Sequence, residues 1–154
     1  MDYQWIIDTL GETWDDLDRY VAARPESDYD RPTACPGWAV RDLVGHLLGL
    51  TRVVLGEPVP AYPGPWPDYV HNPMGEVNES FVALYRRQPM SEVLVAYRDA
   101  NRRALDALRD LDESGWERVG WTPVGDGPAH RFQEIRISDA WIHYQDARDA
   151  LGEP

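Results

Sequence analysis

From residue 4 to residue 23 the side chains of Ile6, Ile7, Leu10, Trp14, Leu17, Tyr20 and Val21 recur at intervals of three and four. That spacing lines up one face of a helix, and a first helix is predicted there. It ends near Ala23-Arg24-Pro25, because proline disfavours helical geometry in the residue before it, and a polar stretch follows to Pro36. Val40, Leu43, Leu47, Leu50 and Val54 form a second stripe. They predict a helix that opens at Gly37 or Ala39 and is closed by Gly56-Glu57-Pro58. The stretch from Glu76 to Tyr85 reads as a further helical piece, and Ser91 to Leu111 as a longer helix with Ser91 as its cap after Pro89. A final helix runs from Ala129 to Leu151 and stops at Gly152, the residue type that best tolerates a left-handed cap.

Two long irregular stretches interrupt this pattern. Residues 56–75 hold six prolines and three glycines interleaved with Tyr62, Trp66 and Tyr69, and a connection of that length in a compact domain is either functional or disordered. Residues 112–128 hold Gly115, Gly120, Pro123, Gly125 and Gly127. Four principal helices without strand-like alternation or internal repeat predict an all-α fold, an antiparallel four-helix bundle with long connecting loops. A length of 154 residues suits a single domain, here residues 1–154.

Charge and composition remove several functions. The net charge of −12 opposes binding to a nucleic-acid backbone, which depends on clustered cations. The longest apolar runs fall far short of the roughly twenty residues that span a bilayer, so no membrane partner is expected. The N-terminus lacks the basic start and apolar run of a secretion signal, and Cys35 has no second cysteine to pair with. A reducing, cytoplasmic setting follows as the expectation. With seven Trp and eight Tyr against two Phe, much of the apolar material carries a polar handle that needs a partner when buried.

The residues that break the apolar pattern carry the chemistry, because a polar group on a core-facing stripe must find a partner. His46 lies about 40° from Leu50 and about 60° from Leu43 around its helix, so it points toward the interior. On the last helix Asp139 and His143 are one turn apart on the same side, Asp146 continues their line, and the stripe Ile137, Ala140, Tyr144, Ala147 and Leu151 lies beside them. Two imidazoles and a carboxylate converging from two helices form the ligand set of an open zinc site, and iron or nickel can use it too. The competing reading is a hydrogen-bonded pair of His46 and Asp139 with no ion. Asp42, one turn before His46, is either a charge that suits the helix N-terminus or a carboxylate that orients the imidazole. His130 and Glu134 form a rival pair, read as a solvated helix start. Cys35 precedes a helix N-terminus that would favour its thiolate, but no base near it is fixed by the sequence, and a small residue before Pro36 is an adequate structural explanation.

Two segments have a familiar form: Thr33-Ala-Cys-Pro-Gly-Trp-Ala-Val-Arg-Asp-Leu-Val-Gly-His46 and Arg136-Ile-Ser-Asp-Ala-Trp-Ile-His-Tyr-Gln-Asp-Ala-Arg-Asp-Ala-Leu-Gly152. They resemble the mycothiol-dependent maleylpyruvate isomerase family, a branch of the DinB-like four-helix metalloproteins, and the resemblance covers nearly the whole chain. It implies a divalent metal, usually zinc, held by His46, Asp139 and His143. The family commonly has glutamate at the middle position, so Asp139 shortens that ligand by one methylene. Many members carry a separate C-terminal domain, whereas this chain stops at Pro154, and the metal-binding domain alone is expected.

The resemblance implies mycothiol or a similar low-molecular-weight thiol as co-substrate, in S-transferase or isomerase chemistry on a small electrophilic molecule. The reacting group would be a metal-bound thiolate. A hydrolase or lyase-like enzyme using metal-bound water is the alternative, and a non-catalytic helical module, monomeric or dimeric, is the third reading. Residues 56–75 are a candidate lid or substrate wall.

Overall fold

The computed structural model describes residues 2–153. Its elements are helices α1 (Gln4–Ala22), α2 (Val40–Val54), α3 (Pro73–Tyr85), α4 (Met90–Arg109), α5 (Glu113–Trp116) and α6 (Ala129–Ala150), with short strands β1 (Val119–Gly120) and β2 (Gly127–Pro128). The two strands pair as an antiparallel ladder inside the second irregular stretch, which the sequence pattern did not anticipate because two-residue strands have no periodicity to detect.

The α1 stripe forms as predicted, with Ile6, Leu10, Trp14, Leu17 and Val21 buried. Helix α2 is the central element and is buried on more than one side. Its apolar stripe meets the core, while Gly45 and Gly49 let Tyr85 and Phe81 of α3 approach so closely that an added Cβ would crowd both rings. Helix α3 begins earlier than the pattern suggested. Asn72 caps it by accepting from the Gly75 N–H at 2.8 Å, and Pro73 takes the first-turn position, where its missing donor costs nothing. Ser91 does not cap α4; the helix already starts at Met90, with Pro89 at the cap position and no side-chain cap bond.

Helices α1, α4, α2 and α6 pack in that order as a closed ring, with α3 laid against the outside of α2. Their directions follow from paired contacts. Tyr3 stacks on His130, Arg136 lies over Trp14, Tyr20 meets Tyr144, and Arg24 pairs with Glu153, so α1 and α6 run parallel. Thr51 bonds Asn101 and Glu57 pairs with Arg103, so α2 and α4 also run parallel. Antiparallel packing holds between α1 and α4, where Asp18 pairs with Arg98 and Leu105 lies against Gly11, and between α2 and α6. Helices adjacent in sequence, α1 with α2 and α4 with α6, therefore sit diagonally across the ring. Residues 23–39 and 110–128 must cross from corner to corner, which is why these connections are long.

Candidate metal centre

The antiparallel contact of α2 with α6 brings the predicted trio together. His46 Nε2 lies 3.2 Å from Asp139 Oδ2, and His143 Nε2 lies 3.5 Å from Asp139 Oδ1. The imidazoles meet edge to face, with ring centroids 4.9 Å apart. One donor atom from each residue falls within 4.8 Å of the other two. Both histidines are buried, and Asp139 keeps partial access to an open cavity of about 460 Å³.

This donor set fits a metal ion. Bonds of about 2.0–2.1 Å in a tetrahedral arrangement put donor atoms about 3.3–3.4 Å apart; here each imidazole comes near that spacing to its own oxygen of Asp139, and all three donors lie within 4.8 Å of one another. Asp146 supplies the partner that a metal-bound histidine needs. Its Oδ2 lies 3.0 Å from His143 Nδ1, so an Nδ1–H donated to Asp146 leaves the Nε2 lone pair directed at the trio. His46 has no such partner, and its buried Nδ1 is unpaired among the described residues. Asp42 does not orient it: that carboxylate accepts from the Ala39 N–H at 2.8 Å and from Arg86 at 3.0 and 2.9 Å, and so acts at the helix N-terminus instead.

Electrostatics tie the trio together. Burial alone would raise the Asp139 carboxyl, but hydrogen bonds from His143 and His46 and their positive charge outweigh it and hold the group far below the usual carboxylate range. Burial alone would lower His143. Its hydrogen bonds to Asp139 and Cys35 and the negative charge of Asp139 push it up to about 10 instead. Without an ion, a proton on His143 therefore takes the place of metal charge.

The segment before α2 forms the near wall. Trp38 N–H bonds Cys35 O at 3.0 Å across Pro36-Gly37, and Gly37 has φ 74°, the signature of a type II turn with proline second and glycine third. The turn lays the Trp38 ring against His46 and His143, at centroid distances of 5.1 and 6.1 Å. It also places Cys35 Sγ 3.5 Å from Asp146 Oδ2 and 4.0 Å from His143 Nδ1. Because α2 starts at Val40, Cys35 is not at a helix N-terminus. Its surroundings come from α6, a contact that sequence order could not reveal.

Glu79 of α3 is a site residue that sequence reading missed. It is 1% exposed, and its two oxygens accept from Trp38 Nε1 at 2.9 Å and from the Tyr69 hydroxyl at 3.1 Å. Tyr69 and Val70, at the end of the proline-rich stretch, line the cavity, whereas Tyr62 and Trp66 stack on each other. The stretch is thus a cavity wall at its C-terminal end. His130 lies 3.4 Å from Glu134 and stacks on Tyr3, so the rival pair serves the α1–α6 contact rather than the trio.

Comparison with known proteins follows the same lines. The family model described as the mycothiol maleylpyruvate isomerase N-terminal domain matches residues 10–148. Two uncharacterised proteins of Mycobacterium tuberculosis, from strains CDC 1551 and H37Rv, are each 29% identical over 143 residues, which is 90% of this chain and 53% of theirs. The chain spans about half the length of the curated relatives it matches. The crystal structure of the mycothiol-dependent maleylpyruvate isomerase superposes with a TM-score of 0.71 at 17% identity, covering 96% of this chain and 61% of that one. DfsB, a sibling lethal factor precursor, gives 0.76 at 20% identity, with 99% and 96% covered. YfiT from Bacillus subtilis, described as "a probable metal-dependent hydrolase with an unusual four-helix bundle topology", gives 0.67 at 19% identity, with 99% and 89% covered. At these identities the solved structures establish the DinB-like four-helix fold.

Proposed function

The chain belongs to the mycothiol maleylpyruvate isomerase N-terminal domain family, and from that footing we propose that it is a metal-dependent enzyme that delivers a low-molecular-weight thiol, such as mycothiol, to a small electrophilic molecule. The observation that carries this reading is the trio itself, two imidazoles and a carboxylate at metal-ligand spacing on the floor of an open cavity. His46, Asp139 and His143 are the proposed ligands of a divalent ion. Zinc fits the donor set, and nickel or iron can use it. Such an ion lowers the pKa of a thiol that reaches it, so that thiolate is available near neutral pH.

The chain's own residues do the rest. Asp146 holds the Nδ1 proton of His143 and so keeps Nε2 free as a donor. Trp38 packs at a tilt beside both imidazoles, while Tyr69 and Val70 wall the space where an electrophile sits. Residues 1–154 act, in this reading, as one metal-binding domain in the cytoplasm. No helix among the described residues is long and apolar enough to cross a membrane.

A second reading, hydrolysis with water in place of the thiol, draws on the similarity to YfiT. Turnover of an electrophilic substrate at saturating zinc, with and without mycothiol, separates the two. The thiol reading requires turnover to depend on mycothiol and to survive in Cys35→Ser. Turnover that ignores mycothiol and vanishes in Cys35→Ser would make the nucleophile internal and overturn it.

A further inference from the structure

Among the described residues, the cavity above the trio has no cationic Arg or Lys side chain in its walls. Ala34, Pro36, Trp38, Tyr69 and Val70 give it apolar and aromatic surface, and beyond the trio its one acidic side chain is Glu79. No arginine is among its lining residues, and the sequence contains no lysine. Arg86 comes within 4.0 Å of Glu79 but does not line the cavity. Its Nε and Nη2 bond Asp42 at 3.0 and 2.9 Å and Nη2 the Gly37 carbonyl at 3.2 Å, while Nη1 is the atom that faces Glu79. The Glu79 oxygens accept from Trp38 Nε1 and from the Tyr69 hydroxyl, one bond each. A buried acidic side chain therefore borders the space that a substrate enters.

We infer that the second substrate of this site is a neutral molecule with an apolar or aromatic body, and that Glu79 is the residue that turns carboxylate-bearing molecules away. The inference rests on the thiol reading of the site. With a thiolate at the centre, the charge of a divalent ion is met by that thiolate and Asp139, and the next charge a substrate meets is Glu79. A dicarboxylate of the maleylpyruvate type would shed its hydration against a like charge, with no guanidinium fork to receive it. A neutral body loses little water and gains contact with the Trp38 and Tyr69 rings. Glu79 also fixes both walls, since it bonds Trp38 from the turn before α2 and Tyr69 from the proline-rich stretch at once.

The experiment is a nuclear magnetic resonance titration of the zinc-loaded, nitrogen-15-labelled chain with benzamide, benzoate or isophthalate, each with and without mycothiol. The reporter is the Trp38 indole N–H, assigned through Trp38→Phe. With mycothiol present, benzamide should bind about tenfold more tightly than either anion in the parent protein, and Glu79→Gln should narrow that gap to about threefold or less. Equal or tighter binding of benzoate or isophthalate by the mycothiol-loaded parent overturns the inference, as does a reporter that none of the three moves. The parent comparison needs no variant to fold. If mycothiol has no effect while the preference for benzamide persists, the thiol reading fails and the neutral specificity stands.

Discussion

Asp146 and His143 sit one helical turn apart on α6, and the 3.0 Å contact between Oδ2 and Nδ1 divides the work of the imidazole between its two nitrogens. One nitrogen is tied to a carboxylate and the other is left for the trio. In metal sites such a partner fixes the ring and raises its basicity. Asp146→Ala should therefore weaken zinc binding by about 10–100-fold without abolishing it, measured by competition with a chromophoric chelator. An unchanged affinity would make the contact incidental.

Each ligand position has its own expected outcome. His46→Ala and His143→Ala should abolish stoichiometric metal, and Asp139→Ala should weaken it strongly, because each change removes one of three protein donors. Asp139→Glu should keep the ion, since a longer carboxylate reaches the same point with some readjustment. His130→Ala and Glu134→Ala, which alter the contact around Tyr3, should leave metal content as it is. Elemental analysis of untagged protein decides all six, and full retention of metal in the first three variants would dismiss the assignment.

The metal-free protein should lose stability as pH rises. His143 goes from an ordinary value of 6.5 to about 10 on folding, so its contribution is complete below about 6.5 and disappears as pH climbs to about 10. Asp139 is depressed from 3.8, so its contribution is present above that value and is lost on acidification. A metal ion must displace the His143 proton, and its affinity should therefore tighten across the same alkaline window. Thermal unfolding between pH 6 and pH 10, with and without zinc, tests both statements. The zinc-induced rise in melting temperature should grow with pH; a rise that shrinks contradicts the proton competition.

Gly37→Ala should damage the site through its wall. The residue holds φ 74°, where an L side chain is strained, and an added Cβ would collide with the Tyr69 ring. A loss of at least about 1 kcal/mol is expected, together with a shifted Trp38 indole N–H signal as the bond to Glu79 is disturbed. Denaturant unfolding measures the first and nuclear magnetic resonance the second.

Much of this protein was legible in local order. Periodic apolar residues located α1, α2, α4 and α6 because a helix repeats its environment every three to four residues. Asp139 and His143 were readable for the same reason, being one turn apart on one helix, whereas Gly37, read as a possible helix start, lies in a turn before α2. Contacts between segments distant in sequence leave no such period. Nothing in the spacing says that α1 and α6 run parallel, that Glu79 reaches back to Trp38, or that Cys35 faces His143. The burial of Arg136 over Trp14, bonded to Gln133 and Thr51, is equally silent in the sequence. The helices and their polar interruptions were set by the order of residues, whereas the ring in which they pack decided which interruptions meet, because only closure of the core brings α2, α3 and α6 around one cavity.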